Sequence, residues 1–341
     1  MKNFLLLNKL LHLYRTPEDQ TYRMLFVDES TVKKILTWEN TFKAVEAAMQ
    51  RVSDGRIVQK PRIMTFIPNT SNVMGTMPGY LEDKQFGALG CKIVTSFPNN
   101  AKLENPLPSV NANIMILDET TGIMKAVIAG TEITTQRTAA ASAVATKYLY
   151  VNQSKPCIVL AVLGTGVQGK IHAEMFRHFF HFQEVRLWNR TKEKAKSLAE
   201  ELNKKYNTDA FKYYEDNESC VRGADVIVTT TNSPVAIVRL SWLKPGAHLN
   251  AVGANRHHFN ELDKEVYRNG DLFVDSVETS QAEIAGLDSV ADNLKGEVGA
   301  VINGTLKNSP NDRITIFNGI GKFLRYRISV VPRKELQILR L

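Results

Sequence analysis

The chain has 341 residues, of which 43% are hydrophobic and 23% are charged. This length suits two domains, the composition is typical of a soluble globular protein, and no apolar run reaches the roughly 18 residues that a membrane span needs. The formal net charge is +8, but the basic residues are scattered. We therefore expect small anionic ligands, and neither nucleic acid nor a membrane as a partner.

Residues 1–23 are predicted to be an N-terminal extension that precedes the fold. The segment is basic and amphipathic, yet its apolar run is short and no small-residue cleavage site follows, so it is a poor signal peptide. A mitochondrial presequence stays open as an alternative, although Glu18 and Asp19 argue against it. Three widely spaced cysteines indicate reduced thiols. These features favour a cytoplasmic protein.

Residues 24–145 are predicted to form an α+β domain around an antiparallel sheet. Apolar residues recur at helical spacing from 24 to 51 and predict two short helices. A hairpin is predicted over 113–127, and an alanine-rich helix over 131–148 then leads to the second domain. Further β-rich segments lie at residues 62–67, 73–77 and 91–95.

Residues 146–311 show the alternation of strands and helices that is typical of a doubly wound parallel sheet. The first strand is a continuous apolar run, as expected for a strand buried on both faces. The overall class is therefore α/β. The predicted parallel strands cover residues 157–163, 185–187, 226–229, 249–252 and 272–274.

Gly164, Gly166 and Gly169 stand in G-x-G-x-x-G order between the first of these strands and a helical pattern. The first glycine permits a tight turn, the second lets the backbone approach a pyrophosphate, and the third lets the helix pack on the strand. The helix N-terminus favours the phosphate charge. We therefore predict a Rossmann-type dinucleotide site in this loop, with Thr165 among its contacts.

Polar residues after two of the strands indicate how the cofactor is chosen. Asn189, Arg190 and Thr191 follow the second strand, where an acidic residue would favour NAD. An amide, a guanidinium and a hydroxyl suit a 2′-phosphate, so NADPH is favoured over NADH. The alternative is that Arg190 is a solvated loop residue. Thr231 ends a threonine run after the third strand and is either a cofactor contact or a loop cap.

Several stretches resemble the ornithine cyclodeaminase/mu-crystallin family, in consistent order over about residues 24–321. The resemblance implies a homodimer built through the antiparallel domain, with the active site in the cleft between the domains. It also implies that residues 312–341 return to the first domain, although the basic segment 322–341 does not fit the helix found there in the family. The matching stretches and residues are 132–140, 164–169, 188–191, 244–248, 251–254, Arg62, Lys92 and Arg137.

The resemblance assigns the grip on a substrate carboxylate to Arg62, Lys92 and Arg137. A guanidinium binds a carboxylate through two hydrogen bonds, and further cations fix its plane, so that the adjacent carbon faces a nicotinamide. Each cation alone would be interpreted as a surface residue. Lys92 lies in an apolar strand, however, and Arg137 lies in an alanine-rich helix, where a charge needs a reason. These three residues are the catalytic candidates, and Lys92 or a bound water is the candidate proton donor.

The same resemblance implies further contacts to the cofactor from both domains. Val110 replaces a histidine that family members carry, which weakens one polar contact near the nicotinamide ribose. The implied cofactor contacts are Ser109, Arg137, Val167, Gln168, Val252 and Asn255.

Asn255 separates two branches of the family, because cyclodeaminases carry an aspartate at this position. An amide cannot act as a base, whereas reduction of a preformed imine needs only a hydride, orientation and a proton. We therefore predict an NADPH-dependent reductase that converts cyclic ketimine carboxylates to cyclic imino acids. The alternatives are an ornithine cyclodeaminase that releases ammonia, or a protein that binds NADPH or thyroid hormone without turnover. Arg62 and Glu283 lie at the family's hormone-contact positions, and Glu283 is a predicted substrate contact.

No metal site is predicted. His257 and His258 are adjacent and therefore point in different directions, and no third ligand falls at a suitable spacing.

Overall fold

Two β-sheets organise the chain in a computed structural model that describes residues 24–59, 61–253, 261–283 and 292–319. The first sheet is mostly antiparallel and the second is parallel, which confirms the predicted α/β class. The predicted extension 1–23 lies outside the described residues. Within the described ranges, none of the helices is both long and apolar enough to cross a membrane.

The first sheet has seven strands in the order β1-β7-β6-β5-β4-β2, with β3 paired to β4. Its strands are β1 (Leu25–Val27), β2 (Ile57–Gln59), β3 (Ile63–Phe66), β4 (Val73–Leu81), β5 (Ala88–Ser96), β6 (Val110–Leu117) and β7 (Met124–Ala129). The helices of this region are α1 (Glu29–Ile35), α2 (Trp38–Ser53) and α3 (Thr131–Leu149).

The predicted helices, strands and hairpin of this region are all present, and β1 and β2 are additional. β1 runs parallel to β7, while the other pairs are antiparallel. The inner face of the sheet packs on the helices through a core that includes Val32, Met77 and Ile114. The alternation of buried and exposed residues along β4 therefore reflects one covered face.

Helix α3 links the two sheets. Its alanines, including Ala139, Ala140 and Ala143, are fully buried, so neighbouring helices can approach closely. It contacts α2 on one side and the first helix of the parallel-sheet region on the other. Its core is shared between both parts of the chain.

The second sheet has eight parallel strands in the order β10-β9-β8-β11-β12-β15-β13-β14. The strands are β8 (Val159–Leu163), β9 (Glu184–Trp188), β10 (Phe211–Tyr213), β11 (Val226–Thr229), β12 (His248–Ala251), β13 (Gly270–Val274), β14 (Leu294–Glu297) and β15 (Ile314–Asn318). The helices are α4 (Val167–Phe180), α5 (Lys192–Tyr206), α6 (Asn217–Val221), α7 (Lys264–Asn269), α8 (Val277–Glu283) and α9 (Val298–Ile302).

All five predicted parallel strands are present, and β10, β14 and β15 are additional. The prediction that residues 312–341 return to the first domain is corrected for residues 314–318, because β15 lies between β12 and β13 in the parallel sheet. Four of its five residues are buried, as expected for a central strand. The parallel-sheet region therefore extends at least to residue 318. Residues 320–341 lie outside the described residues.

Glu29 supplies the N-terminal cap that the sequence of α3 lacks. Gly130 occupies the cap position and has no side chain, but the Glu29 carboxylate accepts hydrogen bonds from the backbone N–H groups of Thr131 (3.3 Å) and Glu132 (2.5 Å). A carboxylate at this end also interacts favourably with the helix dipole.

Replacing Glu29 by alanine is expected to lower the free energy of unfolding by about 1–2 kcal/mol, since a helix loses both its cap and a favourable charge. Denaturant unfolding measures this change. Glu119→Ala, in the exposed turn between β6 and β7, is the matched control and should have little effect. Equal losses in the two variants would contradict the capping role.

Candidate functional site

Three cations predicted to grip the substrate come together where β5 meets α3. Lys92 points to the covered face of the first sheet, between Met77 of β4 and Ile114 of β6, and is 1% exposed. Arg137, in the second turn of α3, is also buried, and Arg62 precedes β3 and is half-buried. The structure therefore gathers three basic side chains, one of which lies on a strand between apolar neighbours.

The positive charges of this cluster act on one another. Burial and the charges of Arg137 and Arg62 lower the pKa of Lys92 well below its usual value. An incoming carboxylate would offset the repulsion among the cations and favour the protonated amine. The cluster is thus suited to bind a small carboxylate and to take up a proton as it does so.

The lowered pKa of Lys92 predicts how stability depends on pH. Between its folded pKa and the ordinary lysine value of about 10.4, the unfolded chain holds a proton that the folded chain has released. Folding of the wild type therefore becomes more favourable, relative to Lys92→Met, as the pH rises from the lowered pKa toward the ordinary lysine value. Unfolding free energies across this range measure the effect, and Lys125→Met, on exposed β7, is the control. Parallel curves for wild type and Lys92→Met would contradict it.

The glycine motif forms the turn between β8 and α4, as predicted. Gly164 has φ +102°, and a Cβ there would lie 2.9 Å from the Thr231 methyl carbon. A Cβ on Gly169 would lie 1.7 Å from the Gly164 carbonyl oxygen, so helix and loop pack directly against each other. A Cβ on Gly166, at the start of α4, would meet nothing within 4 Å. The first and third glycines shape the turn, and the second leaves open space.

The residues after β9 are attached to this turn. Asn189 Oδ1 accepts a hydrogen bond from the backbone N–H of Thr165 (3.3 Å), and its amide nitrogen donates to the carbonyl of Thr191 (3.0 Å). Arg190, held between them, has an exposed side chain. Arg190 therefore lies between a residue bonded to the glycine turn and Thr191, which immediately precedes α5.

These residues are compatible with the pyrophosphate of a dinucleotide. The buried Thr165 Oγ1 and Gln168 Oε1 lack a hydrogen-bond partner within the described part of the chain. Polar atoms in this state at a helix N-terminus, beside the space over Gly166, are typical of a prepared ligand site. Val167, the first residue of α4, is exposed at the same place. The donor set is therefore compatible with a nicotinamide dinucleotide.

Glu261 is a buried residue of this edge that the sequence interpretation missed. Its carboxylate accepts hydrogen bonds from both the backbone and the hydroxyl of Thr231, from the Thr229 hydroxyl and from the backbone N–H of Gly253. Thr231 is thus fixed after β11, and its direct contact with a cofactor stays a prediction. A lone glutamate beyond the end of β12 carries no local pattern that could have revealed the arrangement.

His172 joins α4 to α3 and stays neutral. Its Nδ1 lies 2.7 Å from the Gln168 carbonyl, which can only accept, so Nδ1 carries the proton and Nε2 accepts from the Ser142 hydroxyl at 3.1 Å. Burial lowers the pKa of His172 to about 4. A second link joins the Asn250 amide of β12 to the Thr146 hydroxyl at 3.0 Å.

For the remaining predicted contacts, the structure gives at most the position of the residue in the chain fold. Ser109 immediately precedes β6 and is half-buried, and Val252 follows β12, where its N–H bonds the Thr229 carbonyl. Asn255 lies outside the described residues. Glu283 is the last residue of α8, and its side chain lies outside the described part of the structure. Their roles stay predictions. Across the described ranges, no three His, Cys, Asp or Glu side chains are grouped as a metal site.

Residues 23–323 match the sequence profile of the Ornithine cyclodeaminase/mu-crystallin family. Ketimine reductase mu-crystallin of Rattus norvegicus is 36% identical over 280 residues, which cover 81% of this chain and 85% of that protein. The match extends over both sheets.

Two solved structures share the whole architecture. Thermococcus litoralis Δ1-pyrroline-2-carboxylate reductase, in complex with NADH and L-proline, superposes with a TM-score of 0.82 at 28% identity and covers 92% of this chain and 96% of its own. An archaeal alanine dehydrogenase dimer with bound NAD gives a TM-score of 0.81 at 25% identity, with 90% and 93% covered.

Proposed function

The chain belongs to the ornithine cyclodeaminase/mu-crystallin family, and we propose that it is an NADPH-dependent reductase of cyclic ketimine carboxylates. The product is the corresponding cyclic imino acid. The observation that carries the proposal is the cation cluster of Arg62, Lys92 and Arg137, of which Lys92 and Arg137 are buried, in a chain that also has a Rossmann-type glycine turn. When bound, the dihydronicotinamide supplies the hydride for the C=N carbon.

The cation cluster accounts for the substrate class. Arg62 and Arg137 provide planar donors for a carboxylate, and the buried Lys92 completes the charge. Carboxylate binding raises the pKa of Lys92 again, so the ammonium can hold a proton close to the imine nitrogen. A protonated imine is the more electrophilic form, and a fixed carboxylate orients its carbon toward the cofactor side of the cleft.

The residue type at position 255 favours reduction over cyclodeamination. Ornithine cyclisation needs a group that takes protons from amines, and the Asn255 amide does not titrate at useful pH. Imine reduction makes no such demand, since the carbon receives a hydride and the nitrogen receives one proton. The relatives named as ketimine and pyrroline-carboxylate reductases support the same reaction class.

Loss of NADPH absorbance on addition of Δ1-piperideine-2-carboxylate or Δ1-pyrroline-2-carboxylate tests this proposal. We expect oxidation with both rings and a preference for NADPH over NADH. Ornithine with NAD serves as the comparison, and ammonia release from it would favour the cyclodeaminase instead. Tight NADPH binding without oxidation on any ketimine would favour a binding protein.

Arg190 is proposed to select NADPH. Arg190→Ala is expected to raise the dissociation constant of NADPH about thirtyfold, or by about 2 kcal/mol, because a charged hydrogen-bonding partner of the 2′-phosphate is lost. The constant for NADH should stay within about twofold. Fluorescence titration of both cofactors measures this, and the exposed Lys212→Ala on β10 controls for net charge. A similar loss for both cofactors would contradict the assignment.

A homodimer through the first sheet is also proposed. Large apolar side chains on its strands are strongly exposed, among them Phe26 (66%), Val58 (61%), Ile63 (64%) and Phe66 (64%). Exposed apolar surface of this kind marks an interaction face, and the archaeal alanine dehydrogenase neighbour is described as a dimer. Light scattering in solution is expected to give twice the chain mass, and a monomer would contradict the assembly.

A further inference from the structure

A buried carboxylate ties together the ends of two strands at the cofactor edge of the parallel sheet. Glu261 is 3% exposed. Its Oε1 accepts from the Thr231 N–H (2.6 Å) and hydroxyl (2.7 Å), and its Oε2 accepts from the Thr229 hydroxyl and the Gly253 N–H, both at 2.8 Å. Each carboxylate oxygen therefore holds two donors.

This arrangement requires an acceptor at both oxygens. A buried carboxylate is costly unless donors compensate it, and here four do. Burial raises the pKa of Glu261, while the hydrogen bonds from Thr231, Thr229 and Gly253 oppose that rise. An amide of the same size would place an NH₂ group against two donors and break the pattern.

The residues that Glu261 holds touch the dinucleotide turn. The Thr231 methyl lies against Gly164, where even a Cβ would come within 2.9 Å of it. A Cβ on Gly253 would lie 1.9 Å from the Thr231 carbonyl oxygen and 2.6 Å from the Glu261 carboxyl carbon. The ends of β11 and β12 are therefore locked to each other and to the glycine turn, with little room to shift.

We propose that Glu261 is a positioning residue that fixes Thr231 and Gly253, and thereby shapes the seat of the nicotinamide half of the cofactor. The carboxyl edge of an open parallel sheet is where a dinucleotide binds, and these two residues follow adjacent strands of that edge. The inference rests on the proposed function in that it takes the bound dinucleotide to be NADPH. Arg190, the residue proposed to choose between NADPH and NADH, follows β9, which lies on the other side of β8 from β11.

The chain offers a matched control for the test. Asp225 is likewise buried (1% exposed) and accepts from the backbone N–H groups of Ile158 (2.8 Å) and Val159 (2.7 Å). It immediately precedes β11, at the amino edge of the same sheet, opposite the glycine turn. Asp225 also accepts from the Tyr150 hydroxyl and pairs with Lys244. Glu261→Gln and Asp225→Asn therefore each convert a buried carboxylate with several donors to an amide, at opposite edges of the sheet.

The experiment compares cofactor binding by fluorescence, thermal unfolding and steady-state kinetics for the full chain and both variants. Glu261→Gln is expected to raise the dissociation constants of NADPH and NADH equally, about tenfold, and to lower kcat about thirtyfold. The KM for the imine should change less than about twofold, since its carboxylate is held by the cation cluster. Asp225→Asn should lower the melting temperature and leave both dissociation constants unchanged.

Two outcomes would overturn the inference. One is a Glu261→Gln protein that loses only thermal stability, as Asp225→Asn does, and the other is a loss of affinity restricted to NADPH. If Glu261→Gln does not fold, Thr229→Val removes one donor to the carboxylate, and we expect about a threefold rise in both dissociation constants. Unchanged constants in that variant would likewise reject the role. A wild type that binds NADPH but reduces no ketimine would reject the proposed reaction. The dissociation constants of wild type and Glu261→Gln would still test the role of Glu261 in that case.

Discussion

Lys92→Met is expected to lower kcat/KM for cyclic ketimine carboxylates about a thousandfold, equivalent to about 4 kcal/mol of transition-state stabilisation. The variant removes a cation from the carboxylate grip and the candidate proton donor together. Methionine is unbranched and similar in length, so it fills the space between Met77 and Ile114 without a clash. The melting temperature at neutral pH should be retained or raised, because folding of Lys92→Met no longer has to bury an amine whose pKa its surroundings depress.

Steady-state assays and NADPH titration separate an effect of Lys92→Met on imine reduction from an effect on cofactor binding. NADPH affinity should stay within about twofold in Lys92→Met, since the glycine turn is untouched. Lys125→Met, on the exposed surface of β7, controls for the loss of one positive charge. Full turnover in Lys92→Met would remove Lys92 from the chemistry and leave a water as the proton donor. A parallel loss of NADPH binding would place the lysine on the cofactor side instead.

Substitution by alanine should affect folding stability at one glycine of the motif and not at another. Gly169→Ala is expected to lower the free energy of unfolding by about 3 kcal/mol, because its Cβ would lie 1.7 Å from the Gly164 carbonyl oxygen. Gly166→Ala should leave stability unchanged, since φ is −75° there and the Cβ meets nothing within 4 Å.

NADPH affinity should instead depend strongly on Gly166, the glycine whose substitution leaves stability unchanged. Gly166→Ala is expected to raise the NADPH dissociation constant about a hundredfold, because a methyl group would occupy the space where the pyrophosphate approaches the backbone. Thermal unfolding and fluorescence titration of both variants supply the comparison. Equal stability losses would contradict the packing argument. Wild-type affinity in Gly166→Ala would show that no phosphate lies over that residue.

Features with a local signal were predictable from the sequence. The apolar run of β8, the glycine order that follows it and the polar triplet after β9 each have their own spacing, and the structure places them on one edge of the sheet. Lys92 and Arg137 stood out because each interrupts an apolar or alanine-rich segment. Their convergence across β5 and α3 followed from the resemblance, since no spacing relates residues 45 positions apart.

Features that depend on distant partners were missed. β15 has a strand-like composition, but its place between β12 and β13 depends on pairing with segments more than 40 residues away. Glu29 caps a helix that begins 102 residues later, as measured by its bond to Thr131. Glu261 is identified only once β11 and β12 lie side by side. In each case the energy comes from a long-range contact, which leaves no periodic trace in the chain.

Helix α3 also fixes the spacing between two regions of the proposed site. Arg137, in the proposed carboxylate grip, and Ser142, which bonds His172 of α4, are five residues apart, which corresponds to about 7.5 Å along a helix. One alanine-packed helix therefore connects the proposed carboxylate grip to the helix that follows the glycine turn. A single molecule that joins a carboxylate to a nicotinamide mimic should inhibit more strongly than its two halves, because one helix holds the two proposed surfaces in a fixed relation.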